Sequence, residues 1–139
     1  MITRPQIDAL IAAFMSKDIE AVMRFFADDA VLIDPHYPQA TMRGRVAIER
    51  GLTWGLSNLV KPGLVMRKVW IDGDSACLEV DTHHVFKGGL HLRFAQVFVV
   101  EMRDDKIIRL QAYVPYAPHG IVGLFSKLSR WAAWLQGKR

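Results

Sequence analysis

The stretch FFADDAVLIDPHYPQA, residues 25–40, decides how this chain reads. It carries three carboxylates. Asp28 and Asp29 read as the end of a helix, where Asp closes turns through its side chain. The segment AVLID, residues 30–34, reads as a short strand stopped by Pro35, because proline restricts the residue before it. Asp34 therefore stands at the end of an apolar run. Alternate strand residues share a face, so Leu32 and Asp34 point one way and Val31 and Ile33 the other. If Leu32 faces an interior, Asp34 does too. A carboxylate held among apolar walls is suited to moving a proton at carbon next to a carbonyl.

Upstream, residues 5–15 read as a helix with Thr3 as cap, Pro5 in the first turn and an apolar stripe of Ile7, Leu10, Ile11 and Phe14. Ser16 or Asp18 caps a second helix whose apolar face is Ile19, Val22, Met23 and Phe26. Downstream, residues 36–43 read as a loop and GRVAIERGLTWGL, residues 44–56, as a third helix. After Pro62-Gly63 the period changes to that of strands. Four of them, from residue 64 to 116, are separated by turn signals at Asp72-Gly73-Asp74, Gly88-Gly89 and Asp104-Asp105. Helices first and an antiparallel meander afterwards is the α+β pattern, with three helices available to cover one face of the sheet.

Bulk properties narrow the classes. The 139 residues suit one core, and 51% hydrophobic with 23% charged residues is a globular composition. The net charge of +4 comes without a basic run interleaved with aromatics, so nucleic acid is not an expected partner. A single cysteine, Cys77, excludes an internal disulfide. No signal core opens the chain and no apolar run reaches membrane-spanning length, so a cytoplasmic protein is expected. The histidines lack the helical pairing or clustered carboxylates of zinc sites, and Gly88-Gly89 opens no helix, so neither a metal nor a phosphate-bearing cofactor is expected.

KDIEAVMRFFADDAVLIDP, then Gly44-Arg45, then KIIRLQAYVP in the last strand, resemble the NTF2-like superfamily, and within it the SnoaL-like polyketide cyclases and the steroid isomerases. The resemblance covers roughly residues 5–116. It implies a cone formed by a curved antiparallel sheet wrapped on the N-terminal helices, an interior pocket, and a homodimer formed through the sheet. The domain is expected over residues 1–118, with residues 119–139 as an added C-terminal amphipathic helix packed on the domain or on a dimer mate. In the steroid-isomerase branch the residue matching Asp34 is the proton-shuttling base. The tyrosine that polarises the substrate there falls on Leu10 here, and the late-strand acid falls on Val97 or Phe98. The acid that cyclases carry near the end of the last strand is replaced by AYVPYAP.

Other residues must then supply the electrophile. A two-residue turn at Gly88-Gly89 sets His84 opposite Arg93 and Phe86 opposite His91. Thr82, His84 and Phe86 then share a face with Arg93 and Val97, which the resemblance implies is the pocket side, whereas a slip by one residue brings in Phe94, Gln96 and Phe98 instead. With Asp34 as base, His84 and Arg93 are the expected donors to a developing oxyanion. Leu32, His36, Trp54, Thr82, Phe86, Val97, Tyr113 and Tyr116 are the expected ligand-lining residues. Two readings follow. One is a cofactor-free isomerase, cyclase or dehydratase working on a small apolar carbonyl compound. The other is a non-catalytic member that binds a small apolar ligand or dimerises.

Residues 120–136 repeat apolar side chains at helical spacing: Ile121, Leu124, Phe125, Leu128, Trp131, Ala132 and Leu135, with Lys127 and Arg130 on the other side. Packing on the domain or a partner copy is the first expectation, and docking on an anionic membrane surface is the alternative.

Overall fold

The computed structural model describes residues 1–115 and 120–137. Three helices come first: α1 (Arg4–Met15), α2 (Ile19–Met23) and, after strands β1 (Phe26–Ile33) and β2 (Thr41–Arg43), α3 (Gly44–Ser57). Strands β3 (Leu59–Lys61), β4 (Leu64–Asp72), β5 (Ser75–Phe86), β6 (His91–Arg103) and β7 (Lys106–Tyr113) follow, and α4 (Gly120–Gln136) ends the described chain.

Local chemistry fixes the helix ends. Thr3 and Gln6 form a reciprocal capping box on α1, and the Asp18 carboxylate accepts from the Ala21 N–H at 3.0 Å to start α2. Helix α2 stops at Met23, earlier than the sequence suggests. Phe26, Asp28 and Asp29 therefore lie in β1 rather than on a helix, with Phe26 buried and both carboxylates pointing outward. Asp29 forms a two-oxygen pair with Arg103 at 2.8 and 3.0 Å. The Gly44-Arg45 pair also has a physical role. Gly44 takes a φ of 81°, and the Arg45 guanidinium then donates at 2.8 Å to the carbonyls of Met23 and Phe26, tying α3 to the turn between α2 and β1.

The strands form one sheet in the order β2-β1-β7-β6-β5-β3, with β4 also paired to β5. The sheet is mixed: β1 runs parallel to β7, and the other pairs are antiparallel. Register shifts in the β1–β7, β3–β5, β4–β5 and β6–β7 pairs mark bulges, which bend strands and increase their twist. The inner face packs on α1, α2 and α3 through Ile7, Leu10, Val22, Ile48 and Leu52 against Ala30, Leu78, Val80, Val100 and Ile107.

The β5–β6 register differs from the two-residue-turn expectation by one position. His83 lies opposite Arg93 and His84 opposite Leu92. Both glycines of the turn have positive φ, and the Gly89 N–H donates to the Phe86 carbonyl at 3.0 Å while the Phe86 N–H donates to the Leu90 carbonyl at 2.8 Å. The loop thus holds three residues, Lys87, Gly88 and Gly89, and the added residue reverses the facing of every β6 side chain.

Candidate functional site

A cavity of about 230 Å³ opens between the inner face of the sheet, α1, α3 and the loop after β1. Its walls are mainly apolar, with Leu10, Phe14, Leu52, Leu78, Phe98 and Val100 among them. Among the described residues the polar groups on it are few: Asp34, His36, Tyr37, Asn58, His84 and Gln96. Of the residues named from sequence, Leu32, Asp34, His36, Trp54, His84 and Phe86 line this cavity.

Asp34 arrives there because β1 alternates, as Leu32 does two residues earlier. Its backbone N–H donates to the Ala40 carbonyl and its own carbonyl accepts from the Tyr37 N–H, so the residues after β1 fold back over the cavity. The Asp34 Oδ1 accepts from the His36 backbone N–H at 2.9 Å and sits 2.8 Å from His36 Nδ1. The side chains are 13% and 29% exposed, so the pair is sheltered yet reachable. A carboxylate can only accept, so as a carboxylate Asp34 places the shared proton on Nδ1, and Nε2 is then the unprotonated nitrogen of the neutral ring.

Two neutral donors stand near this pair. Burial pushes the Tyr37 phenol well above its ordinary value, and the Asp34 carboxylate adds to the effect, so the hydroxyl keeps its proton. Gly55 on α3 makes room for this ring: a Cβ there would come within 2.7 Å of the Tyr37 hydroxyl. The second donor is His84. Its Nδ1 accepts from the Gly63 N–H at 3.1 Å, so the neutral ring carries its proton on Nε2. Burial lowers the pKa of His84, the charge on His36 and on His83 lowers it further, and Asp34 opposes them. Phe94 links the two imidazoles, with ring centroids 4.9 Å from His36 and 6.4 Å from His84.

The sign of the His84 shift gives a pH dependence. The folded-state pKa lies below the ordinary 6.5, so the unfolded chain binds this proton more readily. The contribution of neutral His84 is complete above about 6.5 and is lost as pH falls through the depressed value. The thermal midpoint is expected to fall on acidification below about pH 6.5, and His84→Gln to flatten that slope. A His84→Gln profile that overlays the parent's would contradict this.

Deeper in the cavity, Gln96 is 4% exposed and its Nε2 donates to the Thr82 Oγ1 at 2.7 Å. Its Oε1 is buried without a hydrogen-bond partner among the described residues. Such an orphan acceptor costs roughly 1–3 kcal/mol, which a ligand hydroxyl or N–H would offset.

Several expected site residues lie elsewhere. The register reversal turns Arg93 and Val97 to the outer face of the sheet, where Arg93 borders a shallow depression with Val65, Asp81 and His83. Arg93 is thus no oxyanion donor inside the cavity, and Phe94, Gln96 and Phe98 occupy the inner positions instead. Tyr113 pairs with Val97 and is exposed on the same outer face. Thr82 is buried beside the cavity and reaches it through Gln96. Tyr116 lies outside the described residues. Tyr37 gave no sequence signal, because it falls between two prolines in a loop with no period. Among the described residues no three His, Cys, Asp or Glu side chains converge as metal ligands.

A family model for the SnoaL-like domain matches residues 7–110. Among solved structures, a protein with a ketosteroid isomerase-like fold from Catenulispora acidiphila, crystallised with trimethylamine, is 22% identical with a TM-score of 0.73, over 84% of this chain and 89% of that one. A candidate polyketide cyclase from Sinorhizobium meliloti is 22% identical with a TM-score of 0.67, over 80% and 95% of the two chains. RV0760c from Mycobacterium tuberculosis, in complex with estradiol-17beta-hemisuccinate, is 16% identical with a TM-score of 0.72, over 80% and 92%. At these identities the likeness is one of fold. No curated protein matches the chain.

Proposed function

The chain belongs to the SnoaL-like domain family, and from that premise we propose that it is a cofactor-free acid–base enzyme, of the isomerase or cyclase kind, acting on a small and largely apolar carbonyl compound. The observation that carries the reading is the Asp34–His36 pair, hydrogen-bonded at 2.8 Å on the wall of an apolar cavity. His36 Nε2 takes a proton from the carbon next to the carbonyl, the C–H electrons pass into the enolate, and the same nitrogen returns the proton to a carbon of the conjugated system. Asp34 holds the ring and stabilises the imidazolium, so the pair is the base where Asp34 alone was the sequence expectation. The Tyr37 hydroxyl and the His84 Nε2–H are the donors for the enolate oxygen. The ligand of one structural neighbour, estradiol-17beta-hemisuccinate, is a carbon-ring compound with oxygen substituents, and such chemistry suits these walls.

The test is proton exchange in deuterated water with small cyclic ketones and enones as probes, followed by NMR. Enzyme-dependent loss of the α-proton signal supports the reading. Probe binding without exchange would leave the chain a ligand-binding module. Gln96→Leu is expected to weaken hydroxyl-bearing probes about tenfold or more relative to their deoxy analogues. Equal affinity ratios in parent and variant would remove Gln96 from ligand recognition.

The outer face of the sheet suits a homodimer. Val65, Trp70 and Tyr113 are exposed there around half-buried Val97 and Val99. Val97→Arg is expected to convert a dimer to a monomer in analytical ultracentrifugation, and a sedimentation coefficient unchanged from the parent would sink this arrangement. A cytoplasmic location fits the same reading.

A further inference from the structure

Helix α4 presents an apolar stripe to solvent. At 100° per residue, Ile121, Leu124, Phe125, Leu128, Trp131 and Leu135 fall within about a third of its circumference, and each is 40–75% exposed. Lys127 and Arg130 lie beyond that sector, with Trp134, 56% exposed, beside Lys127 at its edge. Among the described residues, none of α4 lines the cavity.

Charge is divided sharply along the chain. Of 18 Lys and Arg, 6 occur from residue 106 onward, and none of the 14 Asp and Glu does. Residues 1–105 therefore carry 12 cations against 14 carboxylates, a net −2, and the remainder carries +6. The whole positive balance of the protein resides in its last strand and the segment after it.

We propose that α4 docks this protein on an anionic lipid surface, lying in the interface with its stripe against the acyl chains and its cations at the headgroups. An exposed stripe that includes an indole, flanked by Lys and Arg without a carboxylate, is the composition of an interfacial helix, and each cation near such a surface adds to its attraction. No helix among the described residues is long and apolar enough to cross a bilayer, so α4 lies on the membrane and does not span it. A second copy is the less suitable occupant. Two such helices meeting along their stripes would gather four Lys and Arg side chains with no carboxylate on either helix to offset them. The proposal is independent of the cavity chemistry, since it uses no residue of the cavity.

The test is co-sedimentation of the full chain with vesicles of phosphatidylcholine alone or with about 30% phosphatidylglycerol. Binding to the anionic vesicles is expected, with a blue shift of tryptophan emission. Lys127→Glu with Arg130→Glu, or salt at about 0.5 M, is expected to weaken it about tenfold or more. Leu128→Asp is expected to abolish it while leaving far-UV circular dichroism and the thermal midpoint of the domain unchanged, because its site is already exposed. Three results would overturn the proposal: no binding to anionic vesicles, equal binding to both kinds, or a dimer that Leu128→Asp dissociates in a protein that ignores lipid.

Discussion

Asp34→Asn is expected to slow α-proton exchange of a cavity-bound ketone by roughly 10²–10⁴-fold, with little change in probe affinity. The amide is nearly the same shape and its oxygen can still accept the His36 backbone N–H, so the loop after β1 keeps its course. What it lacks is the negative charge 2.8 Å from Nδ1 that holds the ring's tautomer and stabilises the imidazolium. The loss therefore falls on the rate and not on binding. His36→Gln is expected to reduce exchange at least as much, because it removes the nitrogen that takes the proton. Asp34→Asn together with His36→Gln should be little worse than His36→Gln alone, since both act through one proton transfer. Exchange within threefold of the parent in both single variants would exclude the pair from the chemistry. Loss in Asp34→Asn with a normal rate in His36→Gln would return the base role to the carboxylate itself.

Gly63→Ala is expected to destabilise the fold by about 3 kcal/mol or more. A Cβ on Gly63 would stand 2.1 Å from the His83 carbonyl oxygen, a backbone atom in the longest run of pairing in the sheet. The Gly63 carbonyl also accepts the His83 N–H at 2.9 Å, and its own N–H donates to His84 Nδ1. Relief of the overlap requires parting two chains that are hydrogen-bonded to each other, and it frees the ring of His84. The variant should thus show a lower urea midpoint together with a changed pH profile. Gly51→Ala is the informative control. There the nearest atom, at 2.2 Å, is the Met42 sulfur, the flexible part of a side chain that can rotate away, so a cost within about 1–2 kcal/mol is expected. Equal midpoints for the two variants would show that the backbone contact at Gly63 is not a constraint.

The parts of the architecture that rest on period and caps were legible in the sequence. The Thr3 cap, the α3 span and the inward pointing of Leu32 and Asp34 follow from alternation and local hydrogen bonding, and the structure has them. The β5–β6 register was not legible, because Gly88-Gly89 is compatible with turns of two or three residues and only the Phe86–Leu90 hydrogen bond decides between them. That single residue separates Arg93 from Gln96 as the inner side chain. The Asp34–His36 contact spans two positions around a proline and depends on a loop conformation that no period encodes. Tyr37 depends on Gly55, 18 positions away, for the space its ring fills. The parallel pairing of β1 with β7 is equally non-local, and a meander of neighbouring hairpins gives no hint of it.

That parallel pair has a consequence for biosynthesis. The strand that leads into Asp34 leaves the ribosome well before its neighbour β7. Until residues 106–113 emerge, one flank of β1 is an unsatisfied row of amides and carbonyls, open to any other extended chain. Translation arrest or premature termination upstream of that point would leave a nascent product prone to clumping, whereas a stop immediately after it would release a sheet with β1 already covered.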